Sequence, residues 1–314
     1  MSRRLHFALF GLAIACYGAA PLPAQQPAVA PAQVALPVQL PPQFQLNAIE
    51  QAFLDQVLDT WEKESGKVAI FQCPFERWEY NAAWGPDPNI AFLKETGELS
   101  YQRPDKGSFQ IKEVRKWQES PVPPGGQPPA TKTGDWIVQP DAIGAHWVCD
   151  GTYVYEYRHQ QKELRVTPIP KELQGKAIVD GPLPFLFGAE ANKLKERYWM
   201  RIENQPNNQE IWLQALPKFQ AQAADFSAVE VILDRNRFMP KAMQVYLPNK
   251  DRHVYMFDLA SATVNGHLQR IMALFQAPRT PFGWKRIVEQ VPVDPPQLPV
   301  LDHRQAAQPG ELAR

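Results

Sequence analysis

Titratable side chains are where catalysis would start, and in this chain their spacing offers no site. Beyond the N-terminal stretch stand five histidines, His146, His159, His253, His267 and His303. No two of them form His-x-x-x-His, and no Cys-x-x-Cys pair accompanies them, the spacings that bring ligands onto one metal. No Gly-x-Ser-x-Gly elbow, phosphate-cradling glycine loop or dinucleotide fingerprint occurs. Asp55, Asp59 and Glu62 share a helical face, but it is the solvated side of an amphipathic segment. The expectation is a protein that is not an enzyme, with no catalytic residue, no metal and no cofactor.

Aromatic and sulfur chemistry remain. Trp78, Tyr80, Trp84, Trp147, Tyr153, Tyr155, Trp199 and Trp212 can stack on sugars, line an apolar cavity, or form a core with cross-strand pairs. For any single ring the core is the expected place, while a concave surface of such rings suits a hydrophobic ligand. Of three cysteines, Cys16 follows Ala13-Ile14-Ala15 at the end of an apolar run. That stretch resembles a degenerate bacterial lipobox, with Ala13 where Leu is preferred, so Cys16 is either a lipidation candidate or a residue lost with a leader. Acylation there would tether the protein to a membrane face without spanning it.

The elements that must position these groups begin after a leader. Arg3 and Arg4, the apolar run Leu5 to Ala15, and the small residues Gly18, Ala19 and Ala20 have the order of a secretory signal. The run is about half of the roughly 20 residues a spanning helix needs. Residues 1–24 are therefore expected to be a signal peptide, placing the protein in the periplasm, diffusing or anchored through lipid at Cys16. Residues 25–45, rich in Pro, Ala and Gln, read as a linker, and 292–314 as a disordered tail. Lys plus Arg equals Asp plus Glu, 33 against 33, so no global field attracts nucleic acid. Residues 46–291 are long enough for one large β domain.

Within that domain Leu46, Ile49, Phe53, Val57, Leu58 and Trp61 recur at helical spacing, with Asn47 placed to cap and Gly66 to end the helix. From Val68 the period becomes two: Leu99, Tyr101 and Arg103; Tyr153, Tyr155 and Tyr157; Tyr198, Met200 and Ile202; Val229, Val231 and Leu233; Tyr255, Phe257 and Leu259. Turn signals separate these runs, Asp150-Gly151 being the strongest hairpin sign. About ten strands without intervening helices predict a mainly antiparallel sheet large enough to curl or close. Glu119 to Gly134 reads as a long exposed loop, Gly181 to Gly188 as an apolar knot between glycines, and Ala189 to Arg197 as a second helix.

The succession of motifs resembles the LolA/LolB-like lipoprotein carrier superfamily and, within it, a planctomycete branch. After the helix come Phe71-Gln72, then Gly97-Glu-Leu-Ser-Tyr-Gln-Arg-Pro104, similar to a "G-x-L-x-x-x-R-P" pattern. Val148-Cys-Asp-Gly-Thr-Tyr-Val-Tyr-Glu-Tyr157 resembles its Asp-Gly hairpin, and Trp212 to Pro217 with Phe226 to Asp234 continues the order to about residue 265. The long Pro-rich insertion departs from it. The resemblance implies a fold that is mainly β with helices (α+β): a half-open antiparallel barrel of about eleven strands around the N-terminal helix, with short lid helices. It further implies an apolar cavity for lipid or lipoprotein acyl chains, with Leu183, Phe185, Leu186 and Phe187 as lid, and Phe53, Trp61, Tyr101 and Tyr155 as cavity residues. Arg103, matching the arginine of the R-P motif, would latch the lid by bonding its backbone; the plainer reading is a hairpin-end arginine facing water. With Cys73 in the first long strand and Cys149 about three strands on, the separation near 14 Å exceeds disulfide reach. Both are expected buried and unpaired.

The leading reading is thus a periplasmic, non-catalytic carrier or acceptor of acyl chains, contacting membrane only peripherally or through a lipid anchor. The alternative is an envelope scaffold whose partners are proteins. A hydrolase stands third.

Overall fold

The structure is a computed structural model describing residues 39–121, 132–171, 174–175, 185, 190–203, 207–266 and 273–289. Its first long element, α1 (Ala48–Ser65), starts where the cap is expected. The Asn47 carboxamide oxygen accepts the Ile49 and Glu50 N–H groups, both at 2.9 Å, and Glu50 accepts the Asn47 N–H at 2.8 Å. This reciprocal box satisfies donors that the first helical turn leaves open. Asn47→Ala is expected to lower stability by about 1 kcal/mol, read as a drop in urea midpoint at unchanged m-value.

Fourteen strands follow among the described residues. A long central ribbon comprises β1 (Ile70–Tyr80), β2 (Leu93–Gln102) and β3 (Lys106–Glu119), with the short β4 (Gly134–Val138) paired to β3. Next come β5 (His146–Cys149), β6 (Tyr153–Arg158) and β7 (Glu163–Pro168), then α2 (Ala191–Arg197), β8 (Tyr198–Ile202), β9 (Glu210–Pro217) and α3 (Gln220–Ala223). The chain closes its meander with β10 (Ala228–Asp234), β11 (Pro240–Tyr246), β12 (Arg252–Phe257), β13 (Thr263–Val264) and β14 (Lys285–Val288). All belong to one sheet in the order β14-β7-β6-β5-β3-β2-β1-β12-β11-β10-β9-β8, with β13 also on β1. Every pairing is antiparallel except β14 with β7. No pairing joins β14 to β8 among the described residues, so the sheet is open rather than closed. The expected half-open antiparallel architecture stands. Its strand number rises from about eleven to fourteen, because short strands such as β4 and β13 carry too few residues to show a period.

One core cluster joins α1 to inward side chains from β5 round to β8, so the sheet curls about the helix. The helix face that does this differs from the expected stripe. Leu54, Val57, Leu58 and Trp61 are buried, whereas Ile49 is 82% and Phe53 42% exposed. Positions 54, 57, 58 and 61 are themselves a one-face set, and Ile49 and Phe53 lie beyond its edge near the first turns.

Strand parity agrees with the alternation read from sequence. Leu99, Tyr101, Tyr198, Met200, Val229, Val231, Leu233, Tyr255 and Phe257 are all buried. The Asp150-Gly151 hairpin forms as expected, with Gly151 at φ 90°. A Cβ there would lie 2.9 Å from the Asp105 carboxylate, so conformation and space both require glycine. Asp105, itself buried, accepts the Gly175 N–H at 2.6 Å and so ties the β2–β3 turn to its neighbours.

Candidate functional site

Between the end of α1 and the curled sheet lies a narrow apolar crevice. Trp61 and Ser65 supply the helix side, Val68 and Phe71 the approach to β1, Leu99 and Tyr101 the β2 wall, and Phe257 the β12 wall. Phe238, Met239 and Pro240, in the β10–β11 turn, form the remaining side. The pairings Phe71 to Tyr101 and Phe75 to Phe257 place these side chains on one face of the sheet. No charged side chain is among the lining residues. The crevice encloses ≈ 20 Å³, and ≈ 440 Å³ when the space at its open mouth is counted. The smaller figure is room for about one water-sized sphere.

The interior beyond is packed instead of hollow. Phe75 stacks on Phe109 at 4.8 Å between centroids, and Phe109 on Trp147 at 5.8 Å. A Cβ on Gly97 would stand 2.6 Å from the Phe75 ring. The cavity implied by the resemblance is here reduced to the crevice, because α1 and this ring stack fill the hollow of the sheet.

The expected site residues separate into groups. Trp61 and Tyr101 line the crevice together. Phe53 lies on the outer side of α1, beside Pro42, Gln45 and Arg201 in a polar groove. Tyr155 belongs to a second cluster with Val148, Leu164 and Val166, its hydroxyl donating to Asp150 at 2.8 Å. Phe185 is fully buried in the main core against Tyr198, at 5.0 Å between centroids, and does not line the crevice. Leu183, Leu186, Phe187 and Cys16 lie outside the described residues.

Arg103 stands at the crevice mouth. Its guanidinium donates to the Ser65 carbonyl at 3.1 Å, at the last residue of α1, while its own N–H donates to Ala69 O at 2.9 Å. The bond is to the backbone at the end of α1; of the expected lid, Leu183, Leu186 and Phe187 lie outside the described residues. A free carbonyl at a helix end is a natural acceptor for such a cation. The Tyr101 hydroxyl donates to Pro104 O at 3.4 Å on the same rim.

At the opposite end of the same sheet face sits a polar cluster that the sequence reading missed. Arg77 donates through Nε to Glu95 at 2.5 Å and pairs with Glu79 at 2.8 Å. Register sets Arg77 opposite both Glu95 and Tyr255, and Glu79 opposite His253. Burial alone would favour uncharged Arg77, but Tyr255, Glu79 and Glu95 outweigh it and hold its pKa above the ordinary range. Burial pushes the Glu95 carboxyl up, with Arg77 offsetting only part of that. Burial likewise holds His253 down against the pull of Glu79. The signal in the sequence is parity: Arg77 and Glu79 follow Phe71, Cys73 and Phe75 on the inward side. The cluster's charges are paired with one another, which suits a structural network.

Cys73 and Cys149 are buried and free, as expected from their strands. Burial pushes the Cys73 thiol up to about 12 and the Cys149 thiol up to about 11. Both stay protonated at neutral pH, so a disulfide reagent is expected to leave the folded protein unlabelled and to titrate both thiols only in denaturant. Among the described residues no group of three or more His, Cys, Asp or Glu is placed to hold a metal ion, and no helix is long and apolar enough to cross a membrane.

No protein-family model matches the chain, and no curated protein matches it. Among solved structures it is similar to an uncharacterized conserved protein from Thermus thermophilus, at 10% identity and TM-score 0.40, covering 74% of this chain and 98% of that one. It is also similar to a LolA superfamily protein from Nitrosomonas europaea, at 8% identity and TM-score 0.32, covering 71% and 97%. A third similarity is to the Pseudomonas aeruginosa MucA/MucB complex structure, at 11% identity and TM-score 0.33, covering 72% and 61%.

Proposed function

We propose that the protein is an exported, non-catalytic binding protein of the cell envelope that holds the acyl chain of a lipid or lipoprotein in the crevice beside α1. The observation that carries this reading is the lining: rings and aliphatic side chains from α1, β1, β2, β12 and the β10–β11 turn, without a charge, opening to solvent. Apolar surface kept at an open mouth favours an apolar guest, since burying it yields about 25 cal/mol per Å². The motif order from Phe71-Gln72 through Arg103-Pro104 to Asp150-Gly151 supports the same reading. The enclosed space is far smaller than an acyl chain, so an acyl guest requires the walls to part. Arg103 holds the end of α1, one wall of the crevice, through the Ser65 carbonyl.

Residues 1–24 serve as the export signal in this reading, 25–45 as linker and 292–314 as tail, with lipidation at Cys16 deciding between a tethered acceptor and a diffusing carrier. The mass of the mature N-terminus distinguishes the two. Native mass spectrometry of protein purified from an exporting host tests the function: co-purified lipid released on denaturation is expected, and a bare polypeptide mass after incubation with lipid would contradict it.

A second reading, an envelope scaffold that binds proteins, is favoured by one observation. Ile49 is exposed on the outer side of α1, and Phe53 is partly exposed in the groove beside it. Substituting both with serine should abolish cross-linked protein partners under that reading and leave acyl binding intact under the first.

A further inference from the structure

We infer that the guest is a single-chain anionic amphiphile, admitted past Phe238, with its tail in the crevice and its head group on Arg103. This rests on the acyl-chain reading and adds the number of chains, the charge of the head and the point of uptake.

The width of the site argues for one chain. Trp61, Phe71, Tyr101, Phe238 and Phe257 are ring walls, and the space they enclose is ≈ 20 Å³. Moving one wall admits a linear chain. A second chain or a fused-ring lipid would have to displace the Phe75–Phe109–Trp147 stack, which is core.

The turn carrying Phe238 is the wall with the means to move. Its backbone is pinned: Asp234 N–H donates to Met239 O at 2.9 Å and Phe238 N–H to Asp234 O at 2.8 Å. The Asp234 carboxylate accepts the Asn236 and Arg237 N–H groups, and the Arg237 guanidinium donates to Leu259 O at 3.0 Å. Within this frame Phe238 is held at φ 50°, a region bulky residues rarely adopt. Such a conformation persists only where its surroundings enforce it, and such residues cluster at functional sites. The ring is half-buried in the crevice wall, and rotation about its side-chain bonds is the movement assigned to uptake.

Arg103 supplies the charge. It is exposed at the rim, and among the described residues no carboxylate lies within ion-pair distance of it. Glu64, in the last turn of α1, is paired with Lys67 at 2.6 Å, and buried Asp105 accepts the Gly175 N–H. The guanidinium is engaged by the Ser65 carbonyl and the Tyr101 hydroxyl, leaving others of its five donors for a carboxylate or phosphate. A head group there would share the cation that holds α1, so its arrival also bears on the latch.

Fluorescent parinaric acid and its methyl ester, titrated in parallel, test this. The acid is expected to bind wild-type protein about tenfold more tightly than the ester, the worth of one charge-assisted contact. Arg103→Gln should remove that preference, so that acid and ester bind equally, while Arg103→Lys should retain most of it. Phe238→Asn removes the ring but keeps a residue at ease in the left-handed region, and should raise the association rate about tenfold. Equal binding of acid and ester, an unchanged rate in Phe238→Asn, or equal competition by a two-chain phospholipid would overturn the inference while leaving the acyl-chain reading in place. Binding of neither probe would overturn both.

Discussion

Replacing Arg77 with methionine is expected to destabilise the protein by about 3–5 kcal/mol, because it leaves a buried carboxylate without its cation. Glu95 is 4% exposed and its nearest charged partner is Arg77 at 2.5 Å. Without that guanidinium Glu79 adds repulsion and burial is unopposed, so the Glu95 carboxyl, already raised, moves further up. Its folded-state pKa then lies above the unfolded value of about 4.3. The loss is therefore smallest below the unfolded value and grows as pH rises through the folded one. Urea midpoints should show a larger deficit at about pH 8 than at about pH 5. Arg77→Met combined with Glu95→Met should recover much of the loss, since a well-packed apolar pair often equals a buried ion pair. Equal deficits at both pH values would mean that Glu95 is solvated, contrary to its burial.

Trp61→Ala is expected to cost a similar amount, about 3–5 kcal/mol. Trp61 is 1% exposed and belongs both to the main core and to the crevice wall. Truncation removes the side chain that fixes the last turns of α1 on the sheet, and it widens the crevice. The effect should therefore divide in two. Thermal unfolding falls, and added fatty acid restores part of the midpoint by filling the enlarged space. Leu58→Ala, a core residue outside the crevice lining, should fall without that recovery.

How far the molecule is legible in its sequence depends on the range of the interactions. The α1 cap, its end at Gly66 and the Asp150-Gly151 hairpin are decided by neighbours in sequence and can be read directly. So can the inward parity of Leu99, Tyr101 and Phe257, because a two-residue period reports one buried face. The helix stripe reads too widely: Ile49 and Phe53 satisfy helical spacing, but which side faces the sheet depends on Trp61 and Leu58 meeting strands far along the chain. Arg77 with Glu95 escapes notice because each looks like a surface charge until register sets them opposite one another. Phe238 escapes for a different reason. Its turn is recognisable from Asp234-Arg235-Asn236, but the apolar Phe238-Met239-Pro240 that follows gains meaning only when β11 and β12 curl it against α1. Of the expected site residues, Trp61 and Tyr101 meet at the crevice with Arg103 on its rim, because they lie on the elements nearest α1's end. Tyr155 shares Tyr101's alternation but faces the second cluster, a distinction no period within one strand can make.

The functional reading stands or falls on whether an acyl chain lies in the crevice. A diazirine-bearing fatty acid, photolysed on the purified full-length protein and mapped by tandem mass spectrometry, tests this most directly. Adducts are expected on the peptides carrying Trp61, Phe71, Leu99 and Phe238–Met239, suppressed by excess unlabelled fatty acid. Labelling confined to Ile49 and Phe53 on the outer side of α1, or spread evenly and insensitive to competitor, would contradict it.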